Sequence, residues 1–376
     1  MPARTAFYDL LSARVAELGG HHNAHLHLDR NGTLDPKYMV GTDLRVLTNS
    51  FVSLRKKHSL IHNLHAGPAF ERADLEQRVN DCIEQMVACG TSRADTMVDV
   101  TADRVGLFGL EVLTAIRERW GGKIEVRLGA YSPFGFTDAE PERWEVYVEG
   151  ARRADFLGCL PEADDTEDYP GNIGFEAHCE RHLALAADLG KMLHVHTDQR
   201  NEATERGTER LLEVMRVNGG PKSADGTPMV WAVHAISPAA YDEPRHQRLI
   251  DALLECSVGI ICCPSAAIGM RQLRPVYSPT HNSIPRVLEL LRAGVHVRLG
   301  SDNVADICSP STTADLMDEL FVLSAAIRFY DVDILAKLGA GVRLTAADRQ
   351  LIGDHLQRND GEIDKVLRAT GQIAAE

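Results

Sequence analysis

Short apolar runs alternate along the chain with segments whose apolar residues recur at helical spacing, and eight repeats of this alternation can be counted. The predicted strands lie at roughly 22–28, 92–100, 124–131, 154–160, 191–197, 229–234, 257–263 and 295–301. Between them, Leu75, Val79, Cys82 and Met86 share one helical face, as do Ile284, Val287, Leu288 and Leu291. Gly90, Gly190 and Gly294 stand where a helix must stop before the next strand, which suits a residue that accepts left-handed backbone. The strand runs are mainly hydrophobic and are read as buried on both faces. Eight such strands separated by helices predict an α/β fold, a (β/α)8 barrel, better than an open doubly wound sheet.

Two stretches fall outside the repeat. One is the segment 31–72 after the first strand, which in a barrel lies on the catalytic face as a long loop. The other runs from about 311 to 376 and reads as helical. With no low-complexity tract, internal repeat or Gly/Ser linker, 376 residues read as one domain: a barrel core at about 20–310 and a helical C-terminal extension.

Composition narrows the partners. The 40 Lys+Arg and 54 Asp+Glu give a formal charge of −14, which leaves no basic footprint for a nucleic-acid backbone. No apolar run reaches the ~18 residues that a membrane helix needs. Residues 1–18 mix charges into their apolar positions and lack a secretory h-region, so a soluble, cytoplasmic protein is expected. The eight cysteines form no C-x-x-C pair and are read as reduced and structural. A small-molecule substrate is the partner expected, and homo-oligomerisation is left open.

The chemistry lies in histidines. Two His-x-His pairs occur, His25/His27 and His194/His196, against about 0.7 expected by chance from 16 His, so a pair alone means little. Position adds the weight. Residues i and i+2 of a strand point the same way, so His25 and His27 both face the barrel interior at the end of the first strand. His196 ends the fifth strand, His234 the sixth, and Asp302 follows the eighth. Strand ends in a closed barrel ring one axis, so four strands deliver imidazoles and a carboxylate to one place, a donor set suited to a divalent cation. His194 is read as lining the barrel. His21, His22, His62, His65 and His296 carry no pattern that separates them from chance.

The string Asn23-Ala24-His25-Leu26-His27-Leu28-Asp29, the segment Val195-His196-Thr197-Asp198, His234 and Gly300-Ser301-Asp302-Asn303 together resemble the amidohydrolase superfamily, most closely its cytosine-deaminase-like branch. The resemblance spans about residues 22–330. It implies a metal-dependent hydrolase of C–N bonds in which His25, His27, His196 and Asp302 hold one metal ion. Asp302 would move the water proton to the leaving nitrogen, and His234 would orient the nucleophile and stabilise the oxyanion. Two-metal members use a carboxylated lysine on the fourth strand. Residues 154–162 contain no Lys, so a single ion is implied, Zn²⁺ by default, with Fe²⁺ and Mn²⁺ also suited to His/Asp ligands.

Three substrate-reading positions depart from that branch. Gln199 stands where it carries a proton-shuttling Glu, Ser132-Pro133-Phe134-Gly135 replaces a pyrimidine-reading glutamine, and Asn303 replaces an Asp. Cytosine itself is therefore not the expected substrate. Gln199, Asn303, Ser132 and Phe134 are the candidate substrate-binding residues for a small N-heterocycle or amide, undergoing deamination or amide cleavage. The small β-sandwich usual in the family is not expected, because only 24 residues precede His25 and the tail reads as helical. Two alternatives stay open: a decarboxylase-type lyase using Arg200 and Arg271 as cationic anchors for a carboxylated substrate, and a non-catalytic metal-bound barrel that binds ligands.

Overall fold

The computed structural model describes residues 5–42, 47, 53–270 and 283–372. Eight strands, β1 (His21–His27), β2 (Thr91–Asp99), β3 (Glu125–Tyr131), β4 (Phe156–Cys159), β5 (Leu193–Thr197), β6 (Val230–His234), β7 (Val258–Cys262) and β8 (Val297–Leu299), form one parallel sheet in sequence order. The sheet closes where Leu26 bridges Asp302 and the Asp302 N–H donates to the His25 carbonyl at 2.9 Å. It is the (β/α)8 barrel that the alternation predicts. Among the described residues every named strand belongs to this sheet, and no β-sandwich accompanies it.

β1, β4, β5, β6, β7 and β8 are buried along their whole length, polar side chains included. The helix Arg72–Ala88 buries Leu75, Val79, Cys82 and Met86 as its spacing demands. Gly90, Gly190 and Gly294 take φ of 83°, 62° and 101° at the turns that lead into the next strands. Inside the barrel, large rings are matched by glycine on the adjacent strand. A Cβ on Gly129 would stand 2.5 Å from the Phe156 ring, and one on Gly259 2.4 Å from Trp231. Packing at native density leaves no slack for either.

The tail differs from a simple extension. Helix Val332–Gly339 packs on β1 and β8, and so completes the ring of helices from beyond residue 310. Helix Ala6–Glu17 packs on it in turn, joined by an Arg14 Nε to Asp333 Oδ1 contact of 2.7 Å. Helix Ala346–Ala369 lies against Val287–Ala293. Between β1 and Arg72, short helices Leu54–Ser59 and Ile61–Ala66 form a small apolar cluster in which Tyr38, Leu60, Leu64 and Phe70 meet Val105 and Ile307 from the loops after β2 and β8. This segment therefore docks over the C-terminal ends of the strands. All eight cysteines are free thiols, and no described helix is long and apolar enough to cross a membrane.

Candidate active site

His25, His27, His196, His234 and Asp302 converge at the C-terminal mouth of the barrel, all buried. Ring centroids are 5.2 Å apart for His25 and His27, 4.8 Å for His25 and His196, and 5.4 Å for His196 and His234. Asp302 Oδ1 lies 3.8 Å from His25 Nε2 and 3.5 Å from His27 Nε2. One ligand atom from each of His25, His196, His234 and Asp302 falls within 4.8 Å of the others. His234 and Asp302 occupy left-handed backbone, with φ of 76° and 59°. For such residues this costs about 1–3 kcal/mol each, and the strain aims both side chains off their strand ends. The barrel-closing bond from Asp302 N–H, and one from Ala235 N–H to Thr197 O at 3.2 Å, hold the two turns in place.

The hydrogen bonds leave lone pairs facing one point. The Nδ1–H of His196 donates to the Cys159 carbonyl at 3.0 Å, so its Nε2 is the free acceptor. The Nε2 atoms of His25 and His196 are buried with no hydrogen-bond partner. Leaving such atoms bare costs about 1–3 kcal/mol each, which a bound cation would recover. The His25 ring plane stands at 87° to His27 and 69° to His196, so in-plane lone pairs can meet. Burial first, and then the neighbouring imidazoles, push the His25 pKa well below its ordinary value; burial and the Arg30 guanidinium do the same to His27. Neutral rings are the form that ligates metal; His25 offers an unpartnered Nε2, whereas the His27 Nδ1 lone pair is taken by Arg30. The donor set and the unpartnered nitrogens fit a divalent ion.

Around this centre the cleft is lined by Arg30, His58, Tyr131, Gln199 and Asn303 among others, and encloses about 470 Å³ including open solvent at its mouth. Gln199 and Asn303 thus reach the cleft. Asn303 Nδ2 donates to Asp306 Oδ2 at 2.5 Å. Ser132 and Phe134 do not line it. Ser132 Oγ bonds within its own turn, donating to the Phe134 carbonyl at 2.9 Å, and Phe134 stacks on His62 at 3.8 Å. The bend after β3 spends both side chains on loop structure. Arg200 is engaged by Asp168, 2.6 Å from its Nη2, and does not line the cleft, while Arg271 lies outside the described residues.

Sequence reasoning missed Arg30, His58, Tyr131 and Glu162. Arg30 donates to His27 Nδ1 and lies 3.6 Å from Asp99 Oδ2, while His65 spans Asp99 at 3.0 Å and Asp103 at 2.6 Å. The only sequence signal for Arg30 was its place three residues after His27. A further His/Cys group, Cys159 with His178 and His182, sits behind β4. Its two imidazoles stack with planes 16° apart and centroids 4.2 Å apart. Lone pairs in nearly parallel, stacked planes do not meet on one ion, and the group reads as core packing.

No family model matches the chain. It is 25% identical over 289 residues to an uncharacterized protein of Haemophilus influenzae, across 76% of this chain and 95% of that one. Among solved structures it is similar to N-isopropylammelide isopropylaminohydrolase from Burkholderia multivorans, with TM-score 0.63 and 19% identity over 86% of this chain and 77% of that one. It is also similar to 5-methylcytosine deaminase from Klebsiella pneumoniae liganded with phosphonocytosine, with TM-score 0.71 and 22% identity over 85% and 73% of the two chains. The chain shares the barrel fold of these two enzymes.

Proposed function

We propose that the protein is a metal-dependent hydrolase that cleaves a C–N bond in a small N-heterocyclic or amide substrate. The observation that carries this reading is the convergence, from three strands, of buried imidazole nitrogens without partners upon the Asp302 carboxylate at the end of a fourth. His25, His27, His196 and Asp302 would hold one divalent ion, Zn²⁺ by default and Fe²⁺ or Mn²⁺ by the same donor chemistry. The fold shared with a deaminase and an aminohydrolase supports the reaction class.

A cation at this site supplies the Lewis acidity that lets water act as a nucleophile near neutral pH. Asp302 takes the proton of the attacking water and returns it to the leaving nitrogen. Its place at the mouth gives the carboxylate access to both. His234, one strand from His196, offers a ring N–H to the developing oxyanion. Gln199 and Asn303 supply amide donors and acceptors that suit a neutral polar substrate.

Metal analysis of the purified chain and a turnover panel test the reading, with ammonia or amine release read for aminated heterocycles and ring opening for cyclic amides. About one divalent ion per chain is expected, with turnover cut by about 10²–10⁴ in Asp302→Asn. Protein that holds no transition metal, or an Asp302→Asn variant with full turnover, overturns it. Carbon dioxide release in place of ammonia would point to the lyase chemistry.

A further inference from the structure

Gln199 lines the cleft together with His196 and His234. Its Nε2 donates to Glu162 Oε2 at 3.2 Å, and Glu162 belongs to the 3-10 turn Pro161–Asp164 that leaves β4. The other carboxylate oxygen of Glu162, Oε1, is buried with no hydrogen-bond partner. Burial and the nearby Asp198 push this carboxyl up to about 7, against the opposing pull of Arg200 and the Gln199 amide. Glu205, ahead of the helix Gly207–Asn218, feels the same cluster, and Arg200 is shared with Asp168.

A carboxamide has one donor end and one acceptor end. With the Gln199 donor end given to a carboxylate, the carbonyl oxygen is the end left for the cleft. The opposite orientation would set carbonyl oxygen against carboxylate oxygen, which is repulsive. We propose that Glu162 is a positioning residue that holds Gln199 with its carbonyl oxygen toward the cleft, so that the site selects substrates presenting an N–H donor beside the bond to be cleaved. The choice of substrate rests on the hydrolase reading, whereas the orientation of Gln199 does not.

Selective ¹⁵N labelling of glutamine in the full chain, with the Gln199 side-chain signal assigned by Gln199→Glu, reads the orientation without turnover. Between about pH 5 and pH 9 the Gln199 NH₂ pair is expected to follow one titration. Glu162→Gln removes that titration, Glu162→Asp retains it, and the other glutamine signals report that each variant is folded. A Gln199 pair that titrates equally in Glu162→Gln, or whose shifts Glu162→Gln leaves unchanged at every pH, overturns the proposal. For any heterocycle that is turned over, N-methylation beside the scissile bond is expected to lower kcat/KM at least about tenfold, mainly through KM. Glu162→Gln is expected to shrink that difference. Equal handling of the N–H and N-methyl forms overturns the selection. Absence of turnover with an intact Gln199 titration counts against the hydrolase reading and leaves the orientation standing.

Discussion

The bond that closes the barrel runs from the Asp302 N–H to the His25 carbonyl, 2.9 Å, between two residues whose side chains also face each other at the mouth. Closure and the candidate metal centre are therefore one structure. Gly300 makes the approach feasible, since a Cβ there would stand 2.7 Å from His25 O and 2.9 Å from its N and Cβ. Gly300→Ala is expected to lower unfolding free energy by about 1–3 kcal/mol, the usual cost of overpacking, and to lower metal content with it. Urea denaturation and metal analysis check both, and a variant that keeps wild-type stability while losing its metal would separate what is joined here.

His65 ties the docked segment to β2 through Asp99 at 3.0 Å and Asp103 at 2.6 Å. Burial alone would lower its pKa, but the hydrogen bonds to Asp103 and Asp99 outweigh burial and hold it at about 9. A folded pKa above the ~6.5 of free imidazole means that the stabilisation is fully present below about pH 6.5 and is lost as pH rises through about 9. Its size is on the order of 2–3 kcal/mol. The stability gap between wild type and His65→Gln should thus be wide at about pH 6 and narrow at about pH 9.5. A gap that is constant with pH would show that the imidazolium charge contributes nothing.

In the proposed mechanism His234 acts on the substrate and not as a ligand of the ion. One of its nitrogens lies within 4.8 Å of the ligand atoms of His25, His196 and Asp302, yet Nδ1 is buried without a partner and the residue sits at φ 76°. His234→Asn suits that backbone, because Asn tolerates left-handed φ. It is expected to reduce kcat by about 10²–10³ while metal content stays near wild type. Loss of the ion in this variant would move His234 into the ligand set.

The barrel is legible in the sequence because its strands are buried on both faces: runs such as Val258–Cys262 and Phe156–Cys159 show no polar alternation to confuse with a surface sheet. The site is legible for a related reason, since strand ends in a closed ring are neighbours whatever their sequence separation, so His25, His196, His234 and Asp302 could be gathered without coordinates. Contacts made by loops escape that logic. Glu162 meets Gln199 only because the turns after β4 and β5 lie side by side, and Arg30 reaches His27 only after the chain bends back beyond β1. Phe134 stands in the segment that replaces a pyrimidine-reading glutamine, but the turn at Ser132 carries it toward the segment docked over the mouth.

That displacement of Phe134 makes a last prediction. Its ring stacks on His62 with centroids 3.8 Å apart and planes 6° apart, and meets His65 edge-on at 5.3 Å. His62 and His65 belong to Ile61–Ala66, and the preceding helix Leu54–Ser59 brings His58 to the cleft wall. Phe134 is thus a clasp between the loop after β3 and the segment over the mouth. Ring pairs of this kind contribute about 0.5–1.5 kcal/mol beyond the area they bury. Phe134→Ala is expected to speed amide hydrogen exchange across residues 54–66 by about tenfold, the kinetic equivalent of that energy, without altering exchange in the strands. On any substrate turned over, KM should rise several-fold with kcat changed less than about twofold, as when a binding wall loosens and the reacting groups stay in place. A large fall in kcat with exchange unchanged would place Phe134 against the substrate after all, and the clasp would have to be abandoned.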